Sequence, residues 1–151
     1  MTDAGYSGTP LAKKLGLKDG QAVAFVGLPD SLSYLKDAAL YRRIETTANW
    51  RALPEGARDV IHLFTTSAAE VVESLPVLRD LIQPAGMIWV SWPKKAAKRP
   101  TDVTEDVIRN RALADVLVDV KVCAVDEVWS GLKLVVRTEA RATHVHAAVR
   151  A

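Results

Sequence analysis

Between positions 94 and 99 the chain places four cations, Lys94, Lys95, Lys98 and Arg99, directly before a segment that starts a helix. An anion held by these side chains can also meet the unpaired backbone N–H groups of the helix's first turn. A solvated charged loop uses the same residues, so the spacing leaves both readings open. Other groups capable of chemistry stand at the ends of apolar runs. Gly27, Pro29 and Asp30 follow the first run, Thr65, Thr66 and Ser67 the second, Trp92 ends the third, and Asp126, Glu127 and Trp129 close the fourth. Cations, hydroxyls, carboxylates and flat aromatics together suit a small anionic or nucleotide-like ligand. Rim packing by Trp92 and Trp129, with Lys94–Asp126 or Lys95–Glu127 ion pairs, accounts for the same residues.

No nucleophile comes with a visible base: Ser7, Ser67 and Ser130 have no assigned partner. His62 lies inside an apolar strand and reads as a satisfied core histidine. Asp126 and Glu127 are adjacent, and neighbours on a strand point to opposite faces, so they are poorly placed to act on one atom. His144 and His146 have a metal-like spacing but stand in a stretch with no apolar stripe, and no metal site is expected. Cys123 has no C-x-x-C partner and reads as a small buried residue.

The elements that must position these groups follow from hydrophobic patterning. Gln21 to Leu28 and Asp59 to Thr65 are continuously apolar, the pattern of central strands covered on both faces. Met87 to Trp92 is a third such strand. Tyr41 to Thr47 reads as an outer strand. Asp30 or Ser31 caps a short helix through Leu35, and Thr9 with Pro10 starts another carrying Leu11, Leu15 and Leu17. Ser67 caps a helix whose stripe is Val71, Leu75, Leu78 and Ile82. Pro76 interrupts it, which predicts a kink or two abutting helices, and Pro84-Ala-Gly86 ends it. Asp102 with Glu105 forms a capping box, with Thr101 a competing cap, before the stripe Val103, Val107, Ile108, Ala112 and Val116. Val118 to Val128 alternates, with Val118, Val120, Val122 and Ala124 on one face and Asp119, Lys121 and Cys123 on the other. Trp129-Ser-Gly131 is a tight turn into Leu132 to Val136, so the last two strands form an antiparallel hairpin.

This order predicts an α/β, three-layer Rossmann-like domain: a mostly parallel sheet with a C-terminal antiparallel hairpin strand. Residues 1–138 form one domain with residues 1–9 as an arm, and 139–151 a tail. With 151 residues, 49% hydrophobic and 25% charged, the chain has the composition of a globular domain. A net charge of +2 argues against a general nucleic-acid-binding surface and leaves only local patches. No apolar run approaches the roughly 20 residues of a membrane span. The first residues do not pattern as a secretory signal, and the single cysteine fits a cytoplasmic protein.

Leu17-Lys-Asp-Gly-Gln-Ala-Val-Ala-Phe-Val-Gly27, Asp59-Val-Ile-His-Leu-Phe64 and Leu78-Arg-Asp-Leu-Ile-Gln-Pro-Ala-Gly-Met-Ile-Trp-Val90 resemble the first, fourth and fifth strand regions of a shortened class I methyltransferase domain. The resemblance implies S-adenosylmethionine (SAM) as cofactor, with Gly27 and Asp30 beside it and Glu45 as the acidic residue after the next strand. The chain departs from that pattern in two places. Gly27 stands alone before Leu28 and Pro29 where a glycine-rich loop belongs, and Thr65-Thr-Ser67 replaces the Asn/Asp-Pro-Pro-aromatic loop of amino-methylating members. A narrower resemblance rests on Tyr6-Ser-Gly-Thr-Pro-Leu-Ala-Lys-Lys-Leu-Gly16, Trp92-Pro-Lys-Lys95, Thr101-Asp-Val-Thr-Glu-Asp106 and Val118-Asp-Val-Lys-Val-Cys-Ala-Val-Asp-Glu-Val-Trp-Ser-Gly-Leu-Lys133. These resemble a family of small bacterial proteins to which no activity is attached. The expectation is a non-catalytic, methyltransferase-like domain that binds an anionic small molecule or a partner at the strand ends. A residual SAM-dependent methyltransferase is one alternative. The other is a protein-interaction module using Tyr6 to Pro10 and the tryptophan rim.

Overall fold

The computed structural model describes residues 10–144. Among them are three α-helices, α1 (Leu11–Lys14), α2 (Ala68–Arg79) and α3 (Glu105–Leu113). Six strands alternate with these: β1 (Ala22–Val26), β2 (Arg43–Thr47), β3 (Arg58–Phe64), β4 (Ile82–Pro93), β5 (Leu117–Ala124) and β6 (Trp129–Val136). They form one sheet in the order β2-β1-β3-β4-β6-β5. The first four are parallel, and β6 inserts antiparallel between β4 and β5. β5 therefore runs in the same direction as β4, and the carboxyl ends of β1, β3, β4 and β5 share one rim.

The continuous apolar strands are central, as their patterning predicts. Every residue of β1 is buried, and β3 and β4 are buried along most of their length. Each large aliphatic or aromatic side chain taken from water there contributes about 1.5–3 kcal/mol. One face of the sheet packs Ala24, Ile61, Ile88, Val90, Leu132 and Leu134 against Val71, Leu75 and Leu78 of α2 and Ile108 and Ala112 of α3. The other packs Val23, Phe25, Val60 and Trp89 against Leu11 and Leu15 of the α1 segment and against Leu32 and Leu35. Leu32 and Leu35 belong to a 3₁₀ helix, Asp30–Asp37, which has Pro29 at its N-cap and no side-chain cap from Asp30 or Ser31. Pro10 likewise occupies the N-cap of α1.

Local chemistry decided several boundaries against the sequence expectation. Ser67 caps α2 as expected, accepting from the Glu70 N–H at 3.2 Å. Pro76 does not divide the helix, which runs unbroken from Ala68 to Arg79. Proline leaves the carbonyl four residues earlier without its helical donor, and Arg111 of α3 fills that place, its Nε donating to Val72 O at 3.1 Å. Ile82 belongs to β4 rather than to the helix stripe, and β4 passes through Pro84 to Gly86 where its register against β3 shifts. Thr104, not Asp102 or Thr101, caps α3, accepting from the Val107 N–H at 3.2 Å. The faces of β5 are the reverse of the expected ones beyond a register shift between Asp119 and Lys121. Val120 and Val122 are exposed there, and Cys123 is buried. The turn preceding β6 lies at Asp126 to Val128, with Trp129 already the first residue of the strand.

Thr138–Thr143 form a 3₁₀ turn where a tail was expected, and His144 Nε2 lies 3.0 Å from Ile82 O. The expected arm, with Tyr6, Ser7 and Thr9, and His146 fall outside the described residues. No described helix is long and apolar enough to cross a membrane.

Candidate functional site at the strand ends

The rim holds a cleft of about 770 Å³ between the β4 loop and the start of α3, lined by Trp92, Pro93, Lys94, Lys95, Arg99, Thr101, Val103, Thr104, Glu105 and Asp106. That volume lies within the range of small-molecule sites. β4 delivers the cations. Lys94 N–H donates to Val128 O at 2.7 Å, tying the loop to the β5–β6 hairpin. Lys95–Ala97 make a 3₁₀ turn, closed by Lys98 in the left-handed conformation with φ 54°. A non-glycine residue rarely occupies that region.

Lys94, Lys95, Lys98 and Arg99 make no ion pair with any carboxylate among the described residues. The alternative Lys94–Asp126 and Lys95–Glu127 pairs are not formed. Asp126 instead turns its Oδ1 onto its own loop, accepting from Val128 N–H at 2.8 Å and Trp129 N–H at 2.7 Å. The cleft's opposite wall is acidic but engaged. Arg109 binds Glu105 and reaches Asp106 at 2.8 Å and Asp119 at 3.0 Å.

The remaining expected residues divide. Thr65 is buried, its hydroxyl donating to the Glu70 carboxylate and accepting from Ser67 N–H at 3.0 Å, so it ties together the turn into α2. Thr66 is exposed, and its carbonyl accepts from the Thr101 hydroxyl at 2.9 Å. Trp92 lines the cleft, whereas Trp129 packs edge-on against Phe64 at 5.3 Å. Sequence reasoning missed the latch between the β3 and β4 loops. There Asp102 accepts from Ala68 N–H at 2.7 Å beside the Thr101–Thr66 bond. It also missed Arg109, for which helical spacing to Glu105 was an available signal.

A second, smaller groove of about 290 Å³ lies after β1 and β2, lined by Gly27, Leu28, Asp30, Ser33, Lys36, Thr46, Thr47 and Ala48. This is where the methyltransferase resemblance places SAM. Gly27 is required by packing: its φ is +71°, and a Cβ there would stand 2.8 Å from Phe64 O. Its N–H already donates to Thr47 O at 2.8 Å, and Pro29 has none to give. Glu45 does not stand at the end of β2. It is paired with Arg58 at 2.7 and 3.0 Å and with Arg43 at 3.1 Å. Burial raises its carboxyl pKa, but the Arg58 hydrogen bond and charge, with those of Arg43, outweigh this and hold it below the usual range. The residues present thus lack the donor-rich loop and the terminal acid that the resemblance implies for SAM.

His62 is buried, with Nε2 2.6 Å from Ser91 Oγ and its ring stacked on Phe64 at 4.1 Å. Burial pushes its pKa down to about 3, so it is a neutral core group, as its strand position suggests. Burial likewise pushes the Cys123 thiol up. Among the described residues no group of three or more His, Cys, Asp or Glu is placed to hold a metal.

No protein-family model and no curated protein matches the chain. Solved structures do. A SAM-dependent methyltransferase from Aquifex aeolicus superposes with a TM-score of 0.63 at 17% identity, covering 84% of this chain and 88% of that one. Magnesium protoporphyrin IX methyltransferase from Synechocystis PCC 6803 with bound SAM gives 0.62 at 17% identity, covering 84% and 74%. The tRNA methyltransferase TrmK of B. subtilis gives 0.55 at 12% identity, covering 91% and 69%. At such identities the likeness is one of architecture: the chain has the Rossmann-like fold of the class I methyltransferases.

Proposed function

We propose that this protein binds a small anionic, nucleotide-like molecule in the cleft between the β4 loop and α3, and performs no methyl transfer on it. The observation that carries this reading is the set of cations without carboxylate partners, Lys94, Lys95 and Arg99, on one cleft of about 770 Å³. Each charge-assisted contact to a phosphate is worth about 1.5–3 kcal/mol. Trp92 offers a flat apolar wall for a ring. No methyl transfer is proposed because the hydroxyl and imidazole groups on the neighbouring strands are engaged away from the cleft: the Thr65 hydroxyl is bound to Glu70, and His62 and Ser91 are bound to each other in the core. The test is a titration with nucleoside mono-, di- and triphosphates followed by amide shifts. The expected result is shifts in residues 92–106, and binding about a hundredfold weaker when both contacts are lost in Lys94→Ala/Lys95→Ala. An absence of shifts in that loop with every nucleotide would overturn the reading.

A second reading, SAM-dependent methyl transfer, is favoured by the likeness to proteins that include one with bound SAM and by the groove beside Gly27. Calorimetric titration with SAM separates the two. Binding at millimolar cofactor with shifts at residues 27–30 and 46–48 supports this second reading, and no heat supports the first.

A further inference from the structure

The ladder register sets one row of side chains across the sheet. Phe25 stands opposite His62, His62 opposite Trp89, Trp89 opposite Lys133, and Lys133 opposite Lys121. The first three are buried aromatic rings. The row ends at the outer strand in two lysines that are ladder partners. Like charges directly opposed across a ladder destabilise a sheet, so such a pair calls for an anion. The described part of the chain supplies none: Lys18, Lys121 and Lys133 make no ion pair among the described residues. The Lys121 ammonium donates to a neutral acceptor, Lys14 O, at 3.2 Å. Asp119, the nearest carboxylate along β5, is separated from Lys121 by the register shift and is held by Arg109 of α3. Partial burial, with Lys121 and Lys18 nearby, pulls the Lys133 amine below the usual lysine range, which marks Lys18 as part of the same patch.

We propose that Lys121, Lys133 and Lys18 form a second anion site, on the α1 face and distinct from the rim cleft, for a ligand carrying two adjacent phosphates. A single carboxylate leaves most of three ammonium charges uncompensated; a diphosphate balances them. Two sources share this chemistry, a free diphosphate and the backbone of a single-stranded nucleic acid.

The test is amide shift mapping of the full chain with inorganic pyrophosphate and, in a parallel arm, with a short single-stranded oligonucleotide. Pyrophosphate is expected to shift residues 120–122 and 132–134. Lys133→Met, which keeps an aliphatic stem against Trp89, and Lys121→Met at the exposed edge are each expected to weaken binding about tenfold. Lys133→Met should melt no lower than wild type, because it removes a like-charge contact and no side-chain hydrogen bond among the described residues, whereas Lys121→Met also gives up the bond to Lys14 O. Lys94→Ala/Lys95→Ala should leave these shifts in place. Shifts with pyrophosphate alone assign a free ligand, and shifts with the oligonucleotide assign a nucleic-acid backbone. No shifts with either ligand, shifts unchanged in both methionine variants, or shifts lost in the rim variant would each overturn the proposal.

Discussion

Arg58 and Glu45 meet across an intervening strand: Arg58 Nε lies 2.7 Å from Glu45 Oε1 and Nη2 lies 3.0 Å from Oε2. β1 runs between them, with Ala24 opposite Glu45 in the ladder. The same guanidinium donates to Pro54 O at 2.8 Å and Gly56 O at 2.7 Å, so one side chain fixes β2, β3 and the loop joining them. Arg58 is fully buried and the Glu45 side chain is 17% exposed. Removing one member of a buried pair costs about 3–5 kcal/mol. The two deletions should not be equal. Glu45→Gln leaves a guanidinium without its counter-ion in the interior, whereas Arg58→Met leaves a carboxylate that still reaches water. Urea denaturation should therefore rank Glu45→Gln as the more damaging. Because the folded pKa of Glu45 is depressed, its contribution is complete above the ordinary glutamate pKa and is withdrawn as pH falls through the lower folded value. Glu45→Gln should lack that acid-side decline.

His62 gives a second pH dependence in a different window. Its pKa is about 3 in the fold against 6.5 for the unperturbed side chain. Below pH 6.5 the unfolded chain takes up a proton that the folded chain refuses. Stability is therefore unaffected by this group above pH 6.5, and it falls by about 1.4 kcal/mol per pH unit between there and pH 3. His62→Gln keeps a partner for the Ser91 hydroxyl without a titrating ring. Its stability at pH 7 should be lower because the stack on Phe64 is lost, but its decline from pH 6.5 to 4.5 should be shallower than that of wild type. Equal slopes for the two proteins would show that His62 titrates normally.

What was legible in the sequence was whatever depends on short range and on burial from both sides. Gln21 to Leu28 and Asp59 to Thr65 read as central strands because an uninterrupted apolar run has few other solutions. The cationic edge of the cleft was legible too, since Lys94, Lys95 and Arg99 adjoin a strand end. What was not legible was settled by partners far along the chain. Asp102, with Thr101 competing, had a spacing suited to capping α3. Thr104 became the cap because Asp102 is held by Ala68 N–H, 34 residues away. Glu45 looked like a strand-end acid, and its partner Arg58 lies on a strand it does not adjoin. Asp126 looked like a site carboxylate, yet its short side chain satisfies the hairpin's own N–H groups, a role common to aspartate in turns.

The Asp102 bond makes a direct prediction about the cleft. Asp102 adds a second side-chain acceptor to the start of α2, beside Ser67, so Asp102→Ala should cost about 0.5–2 kcal/mol. Because Thr101 and Val103 line the cleft on either side of it, loosening this latch should also weaken nucleotide binding without removing any cation. Thermal melts and the nucleotide titration on the same variant check the two effects. Ser67→Ala, which removes a cap on α2 without touching the latch, should lower the melting temperature and leave the affinity unchanged.

The Pro76–Arg111 compensation can be dissected by a double-mutant cycle. Pro76 is half-buried inside α2 and has no N–H, and Arg111 Nε meets the Val72 carbonyl at 3.1 Å. Pro76→Ala restores the helical donor and removes a residue that costs roughly 3 kcal/mol in a helix interior. The gain should be smaller than that, about 1–2 kcal/mol, because Arg111 already satisfies part of the defect and the surrounding packing has adapted to proline. Arg111→Met in the wild-type background leaves Val72 O without that donor and should destabilise by about 1 kcal/mol. In the Pro76→Ala background the carbonyl has its own helical donor, and the same substitution should cost less. A coupling energy of at least about 0.5 kcal/mol is expected between the two sites. A cycle that closes additively would mean the Arg111 contact does not replace the missing helical bond.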